Sequence, residues 1–202
     1  MSATDSSSFS TAAVTTKLGT IDTVNYDNKT GVITFNGQKL DLTGIGDAKT
    51  DTLTFQKDGM FINVYKGSES YRLNYSDGKQ VKQADGVTLE TATKALDNTK
   101  SALYINGSGG AGSDVIINTK AGTVAGGGGK DKIFNFAEGA TIQSGNGDTF
   151  IYSVGLGSGG SITTGAGDNN IKITSAMSGG NITTGAGDNN ITLVGNMTGG
   201  TV

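Results

Sequence analysis

The 202-residue sequence predicts an all-β protein: a small antiparallel β-meander domain followed by a glycine-rich parallel β-solenoid of about 17–20 residues per turn. Three observations predict it. Alternating apolar runs separated by Asn-Gly and Asp-Gly pairs fill the first half and are the signature of short hairpins. Of 34 glycines, 25 fall in residues 101–202, which places a composition break near residue 100. Finally, residues 161–180 (SITTGAGDNNIKITSAMSGG) return almost literally as residues 181–200 (NITTGAGDNNITLVGNMTGG), and self-similarity at a fixed period of this length marks stacked coils.

Residues 1–17 are rich in Ser, Thr and Ala without periodicity and read as a disordered arm. Residues 18–100 read as the small β domain. Strands are expected around Val24 and Tyr26, over Val32–Phe35, and over Lys39–Leu42, with Asn36-Gly37 as a two-residue turn. Further strands are expected at Leu53–Phe55, Phe61–Tyr65 and Tyr71–Tyr75, with turns at Asp58-Gly59, Lys66-Gly67 and Asp77-Gly78. The aromatic residues of these runs alternate at strand spacing, as core and cross-strand pairs do. Over Val87–Lys100, Leu89, Ala92, Ala95 and Leu96 recur at helical spacing, so a short helix is expected to lead into the second half.

In residues 101–202 two aliphatic series carry the solenoid. Ile116, Ile133, Ile151, Ile171 and Ile191 form one, and Val124, Ile142, Ile162, Ile182 and Val202 the other. Each coil therefore supplies two inward residues from two short strands, stacked about 4.8 Å apart. Leu156, Met177 and Met197 are expected to form a third ladder. The core is a narrow aliphatic seam, in keeping with a hydrophobic content of 34% in a chain that carries 34 glycines.

The bends carry the chemistry. Residues 109–116 (GGAGSDVI) and 126–133 (GGGGKDKI) both fit G-G-x-G-x-D-x-U and lie one coil apart. The pattern resembles the calcium-binding nonapeptide of the RTX (repeats-in-toxin) family, whose repeats build a parallel β-roll. That resemblance implies a Ca²⁺ site made by carbonyls of Gly109, Ala111, Gly127 and Gly129 with the carboxylates of Asp114 and Asp131, since Ca²⁺ takes six to eight oxygens. The later bends depart from the pattern: Ser144 or Thr replaces the first Gly, Asp148, Asp168 and Asp188 come one position early, and Thr149, Asn169 and Asn189 stand at the liganding place. There Asn169 and Asn170 are expected to stack on Asn189 and Asn190 as amide ladders.

Composition removes several function classes. Without Cys or His the chain offers no thiol nucleophile, disulfide, zinc site or imidazole base, which leaves a hard, oxygen-liking ion such as calcium. A net charge of −3 with Arg72 as the single arginine argues against nucleic acid as a partner, and no apolar run is long enough for membrane insertion. The expected function is a non-enzymatic, extracellular or cell-surface structural or adhesive module of a larger bacterial protein, with a cell-surface or carbohydrate ligand as partner. The outward domain of a surface filament or S-layer subunit is the first alternative. A β-helix polysaccharide-active enzyme is the second, and would need Glu138 and Asp148 gathered beside Lys130 or Lys132. An ice-binding solenoid is a weaker alternative, since Ser161/Thr163 and Asn181/Thr183 make no regular threonine column. The closing Gly199-Gly200-Thr201-Val202 reads as the opening of another repeat, so a truncation at 202, a following repeat or a cap, and self-association through solenoid ends are expected.

Overall fold

A computed structural model describes residues 21–40, 42, 44–59, 61–73, 75–76, 79–80, 90–91 and 94–202. The expected disordered arm lies outside these residues. The fold is a small antiparallel sheet with a parallel β-solenoid of about four turns.

Strands β1 (Val24–Asp27), β2 (Val32–Phe35) and β3 (Gln38–Leu40) form a three-stranded antiparallel meander. Asn36 and Gly37 close its second hairpin with φ of 43° and 82°, the primed turn that an Asn-Gly pair prefers because it matches strand twist. Strands β4 (Leu53–Asp58), β5 (Phe61–Lys66) and β6 (Glu69–Leu73) form a second antiparallel run, turning at Gly59 and Gly67. Short pairs follow: β7 (Tyr75–Ser76) with β8 (Lys79–Gln80), and β9 (Glu90–Thr91) on β6.

The solenoid begins at β10 (Leu103–Ile105). One wall continues through β11 (Val115–Asn118), β13 (Lys132–Asn135), β15 (Phe150–Ser153), β17 (Asn170–Ile173) and β19 (Asn190–Leu193). The other holds β12 (Thr123–Gly127), β14 (Thr141–Ser144), β16 (Ser161–Thr164) and β18 (Asn181–Thr183). The aliphatic series stack as the spacing predicts: Ile116, Ile133, Ile151, Ile171 and Ile191 are successive register partners, as are Val124, Ile142, Ile162 and Ile182. Met177 bridges Met197 in the third ladder, and Leu156 is buried. Val202, expected in the second series, is 59% exposed.

Two features differ from the sequence reading. Of the residues expected as a helix, Glu90–Thr91 form strand and 94–100 are turn and irregular, the rest lying outside the described residues. The physical cause is tertiary hydrogen bonding. The buried Gln56 amide exchanges bonds of 2.9–3.0 Å with the backbone of Asp97, and the Asn98 carbonyl accepts the Ala111 N–H at 2.6 Å, so this stretch becomes the bend beneath the first coil. The second difference is continuity: β10 pairs antiparallel with β4, joining β4–β6 to the solenoid wall as one ten-stranded sheet.

That sheet divides two cores. Inside the coil lie Tyr104, Ile116, Ile133, Ile151, Ile171 and Ile173 with Val124, Ile142, Ile162 and Ile182. On its outer face Leu53, Phe55, Leu103, Ile105, Val115, Ile117 and Phe134 pack against Ile21, Val24, Ile33, Phe35 and Leu40 of the meander. Strand β11 is buried at all four positions, as a strand covered on both faces must be.

Candidate functional site: the stacked bends

Val115 and Lys132 are register partners, and the Lys132 N–H donates to the Asp114 carbonyl at 2.8 Å, so Asp114 and Asp131 stack immediately before their strands. The two octets lie directly above one another, and the Gly128 N–H donates across the coil to the Gly110 carbonyl at 2.8 Å. Gly109 and Ala111 bond elsewhere through their amides, to the carbonyls of Ala125 and Asn98.

The glycines are needed chiefly because backbones meet here. The carbonyls of Gly127 and Gly129 point at the α-carbons of Gly145 and Gly147 in the next coil, where any β-carbon would overlap them. The same relation repeats from Gly145 to Gly165 to Gly185 and from Gly147 to Gly167 to Gly187. Left-handed conformations add a second reason at Gly127, Gly129, Gly147, Gly167 and Gly187. Gly145, Gly165 and Gly185 carry no such φ and are required by close approach alone.

One inward position per coil, two residues before the luminal Ile, holds Asp114, Asp131, Thr149, Asn169 and Asn189 in turn. It makes the same kind of rung in the first coils and again in the last ones. The Ala102 N–H donates to Asp114 Oδ1 at 2.8 Å and the Asp114 N–H to Asp131 Oδ1 at 2.9 Å. The Thr149 N–H donates to Asn169 Oδ1 at 3.2 Å and the Asn169 N–H to Asn189 Oδ1 at 3.3 Å. The expected amide ladder is therefore present for Asn169 and Asn189, whose side chains also bond directly at 2.8 Å. Asn170 and Asn190 pair in register on the outer face.

The second atom of each side chain separates the coils. Asn169 Nδ2 donates to the Gly167 carbonyl at 2.9 Å, and Asn189 Nδ2 to those of Gly185 and Gly187 at 2.9 and 3.0 Å. Gly127 and Gly129 hold the equivalent places, four and two residues before Asp131. A carboxylate has no donor for such carbonyls. Asp114 Oδ2 accepts the Gly110 N–H at 2.9 Å, while Asp131 Oδ2 is buried with no hydrogen-bond partner. The companion position changes in step: Gly109 and Gly126 face the two Asp side chains, whereas in the third coil Ser144 Oγ donates to Thr149 Oγ1 at 3.0 Å.

Asp114 and Asp131 are 1% and 2% exposed. Burial raises the pKa of Asp131 to about 7, with the Asp114 charge adding to it; burial also raises Asp114, against the pull of its amide bonds from Gly110 and Ala102. Tyr104, whose buried hydroxyl lacks a partner, is pushed up to about 12 by burial and by the same two carboxylates. Among the described residues no three carboxylates converge, so an ion at this bend would draw most of its ligands from the backbone. The donor set fits a hard cation at one point above all, where the unpartnered Asp131 Oδ2 stands at the register position of an amide donor.

On the outside, Asp148, Asp168 and Asp188 stack as well. Each successive amide bonds the carboxylate before it, at 3.0 and 2.8 Å, and Lys130 pairs with Asp148 at 2.8 Å and holds its carboxyl below the ordinary range. Lys132 instead pairs with Asp22 at 2.8 Å, and Glu138 belongs to the opposite bend beside Gly157. Glu138 and Asp148 are thus kept apart by the length of β14. Sequence reading missed a second luminal ladder at the far end of these strands. Asn118 Nδ2 donates to Asn135 Oδ1 at 2.7 Å and Asn135 Nδ2 to Ser153 Oγ at 2.9 Å; the signal was a polar residue two positions after Ile116, Ile133 and Ile151, where the last two coils carry Ile173 and Leu193 instead.

Fold and bends together define a β-solenoid repeat protein. Comparison with known proteins finds no match for the chain among family models, curated sequences or solved structures.

Proposed function

We propose that the chain is a non-enzymatic structural or adhesive module of a larger secreted or surface-exposed bacterial protein, whose first stacked bends are stabilised by Ca²⁺. The observation that carries the reading is Asp131 Oδ2, a buried carboxylate oxygen without a partner, stacked on a second buried carboxylate. A buried unpaired charge is costly unless it is neutralised or coordinated. Asp131 and Asp114 would supply charge, with bend carbonyls at Gly109, Ala111, Gly127 and Gly129 as the remaining oxygens. The ion would act by joining two coils, which suits a protein that must gain rigidity on reaching a calcium-rich exterior.

The test is thermal unfolding followed by circular dichroism in millimolar Ca²⁺ and in EGTA. At about a hundredfold excess over Kd, an ion bound only by the folded state adds about 2.7 kcal/mol, a rise in Tm of roughly 5–10 °C for a chain of this length. Asp114→Ala with Asp131→Ala should abolish the rise. Equal melting with and without calcium refutes the ion; a response that survives the double substitution moves it to the later bends.

A further inference from the structure

We infer that the crevice where the meander meets the outer face of the solenoid wall binds an acidic saccharide. One pyranose ring rests on Tyr152 and Phe150 while its carboxylate meets Lys172. The crevice measures about 380 Å³, with Asp22, Thr23 and Asn25 on one side and Phe150, Tyr152 and Lys172 on the other.

Its origin is a change of character along the outer face. Val115, Ile117 and Phe134 are buried beneath the meander, whereas Asn170, Lys172, Asn190 and Thr192 are polar and exposed. Strand β15 lies at the changeover, and its Phe150 and Tyr152 are half-buried. Their rings are fixed by neighbours: Phe134 lies 5.8 Å from Phe150 and 6.4 Å from Tyr152 between ring centroids, and Phe136 lies 6.2 Å from Tyr152. An immobilised aromatic floor with a few polar groups around it is the usual make-up of a small-ligand site.

Charge chooses the class of ligand. Asp22 is engaged by Lys132 at 2.8 Å, which leaves that pair neutral. Lys172 has no carboxylate within ion-pair distance among the described residues, so the crevice carries one uncompensated positive charge. Tyr152 and Lys172 are register partners on adjacent strands, about 4.8 Å apart. A ring that bears its own carboxylate spans that distance, laying its C–H face on the tyrosine and its charge on the ammonium. Its hydroxyls then face Thr23 and Asn25. A purely apolar ligand would strip water from Lys172 and Asn25 without replacing it.

The experiment is calorimetric titration of the 202-residue chain with tetragalacturonate and, separately, with neutral cellotetraose. Saturable binding of the acidic tetramer is expected, at least about tenfold tighter than the neutral one, because a charge-assisted contact is at stake. Lys172→Gln, an exposed change with no burden on folding, should weaken the acidic tetramer about tenfold and leave cellotetraose unchanged; Tyr152→Leu should weaken both. Absence of saturable binding at about 10 mM, equal affinity for the two sugars, or full affinity in Lys172→Gln each overturns the inference.

Discussion

Asp131 and Asn169 occupy the same rung of the lumen and differ by one atom, an oxygen in place of an NH₂. The difference decides whether a bend is self-sufficient. Asn169 bonds its glycine carbonyls and its neighbour, whereas Asp131 leaves an oxygen stranded. Asp131→Asn should therefore raise calcium-free stability by about 1–3 kcal/mol, the cost of one unsatisfied buried group, while removing any response to Ca²⁺. Denaturant unfolding in EGTA checks both. The pH dependence follows from the same residue. Its folded pKa, about 7, lies above the ordinary carboxylate value, so between about pH 4 and 7 the folded state holds a proton that the unfolded state has lost. In EGTA, stability contributed by this group is full at the acid end and falls as pH rises toward 7. Asp51 and Asp148, held low by Lys66 and Lys130, have the opposite sign but act only below the ordinary carboxylate pKa. A melting temperature in EGTA that does not fall between pH 5 and pH 8, or falls equally in Asp131→Asn, contradicts this assignment.

At the scale of the element, the bend is a glycine stack before it is a turn. Gly128 and Gly129 are neighbours in one bend, yet nothing stands within 4 Å of a β-carbon on Gly128, while one on Gly129 would meet the Gly112 carbonyl at 2.5 Å with φ at 105°. Gly128→Ala is expected to be neutral or stabilising by up to about 1 kcal/mol. Gly129→Ala should cost about 3 kcal/mol or more, through strain and lost coil contact. Urea midpoints of the two variants separate a stacking role from mere turn preference. The strands and their register were legible from the Ile spacing, because a luminal ladder tolerates no slip. The companion pairing of Gly126 with Asp131, and of Ser144 with Thr149, was not legible, because residues five apart at the two ends of a bend meet only once the bend has closed. The absence of the expected helix among the described residues of 87–100 has a tertiary cause: apolar spacing was read locally, while Gln56, more than forty residues away, decides the path of Asp97.

For the whole molecule, one sheet separates two cores, so the meander and the first coils should unfold together. Phe55→Ala, on the outer face, is expected to cost about 3–5 kcal/mol and to lower the transition seen from the solenoid as well as from the meander. Hydrogen exchange should be slowest in β10 and β11, which are covered on both sides, and faster toward β18 and β19, each coil gaining stability from its neighbours. Separate transitions for the two halves, or uniform protection along the coils, would contradict this coupling. The sequence by itself determined the coil: its period, its two aliphatic ladders and the stacking of its bends, because each depends on residues that recur at fixed spacing. Only the tertiary structure decided the rest. It carried the β4–β6 run into the solenoid wall, buried Val115, Ile117 and Phe134 on the outer face, turned Asp114 and Asp131 inward, and left Phe150, Tyr152 and Lys172 at the edge of the cover. Those outcomes depend on which surfaces far apart in the chain exclude water from one another, and no local spacing records that.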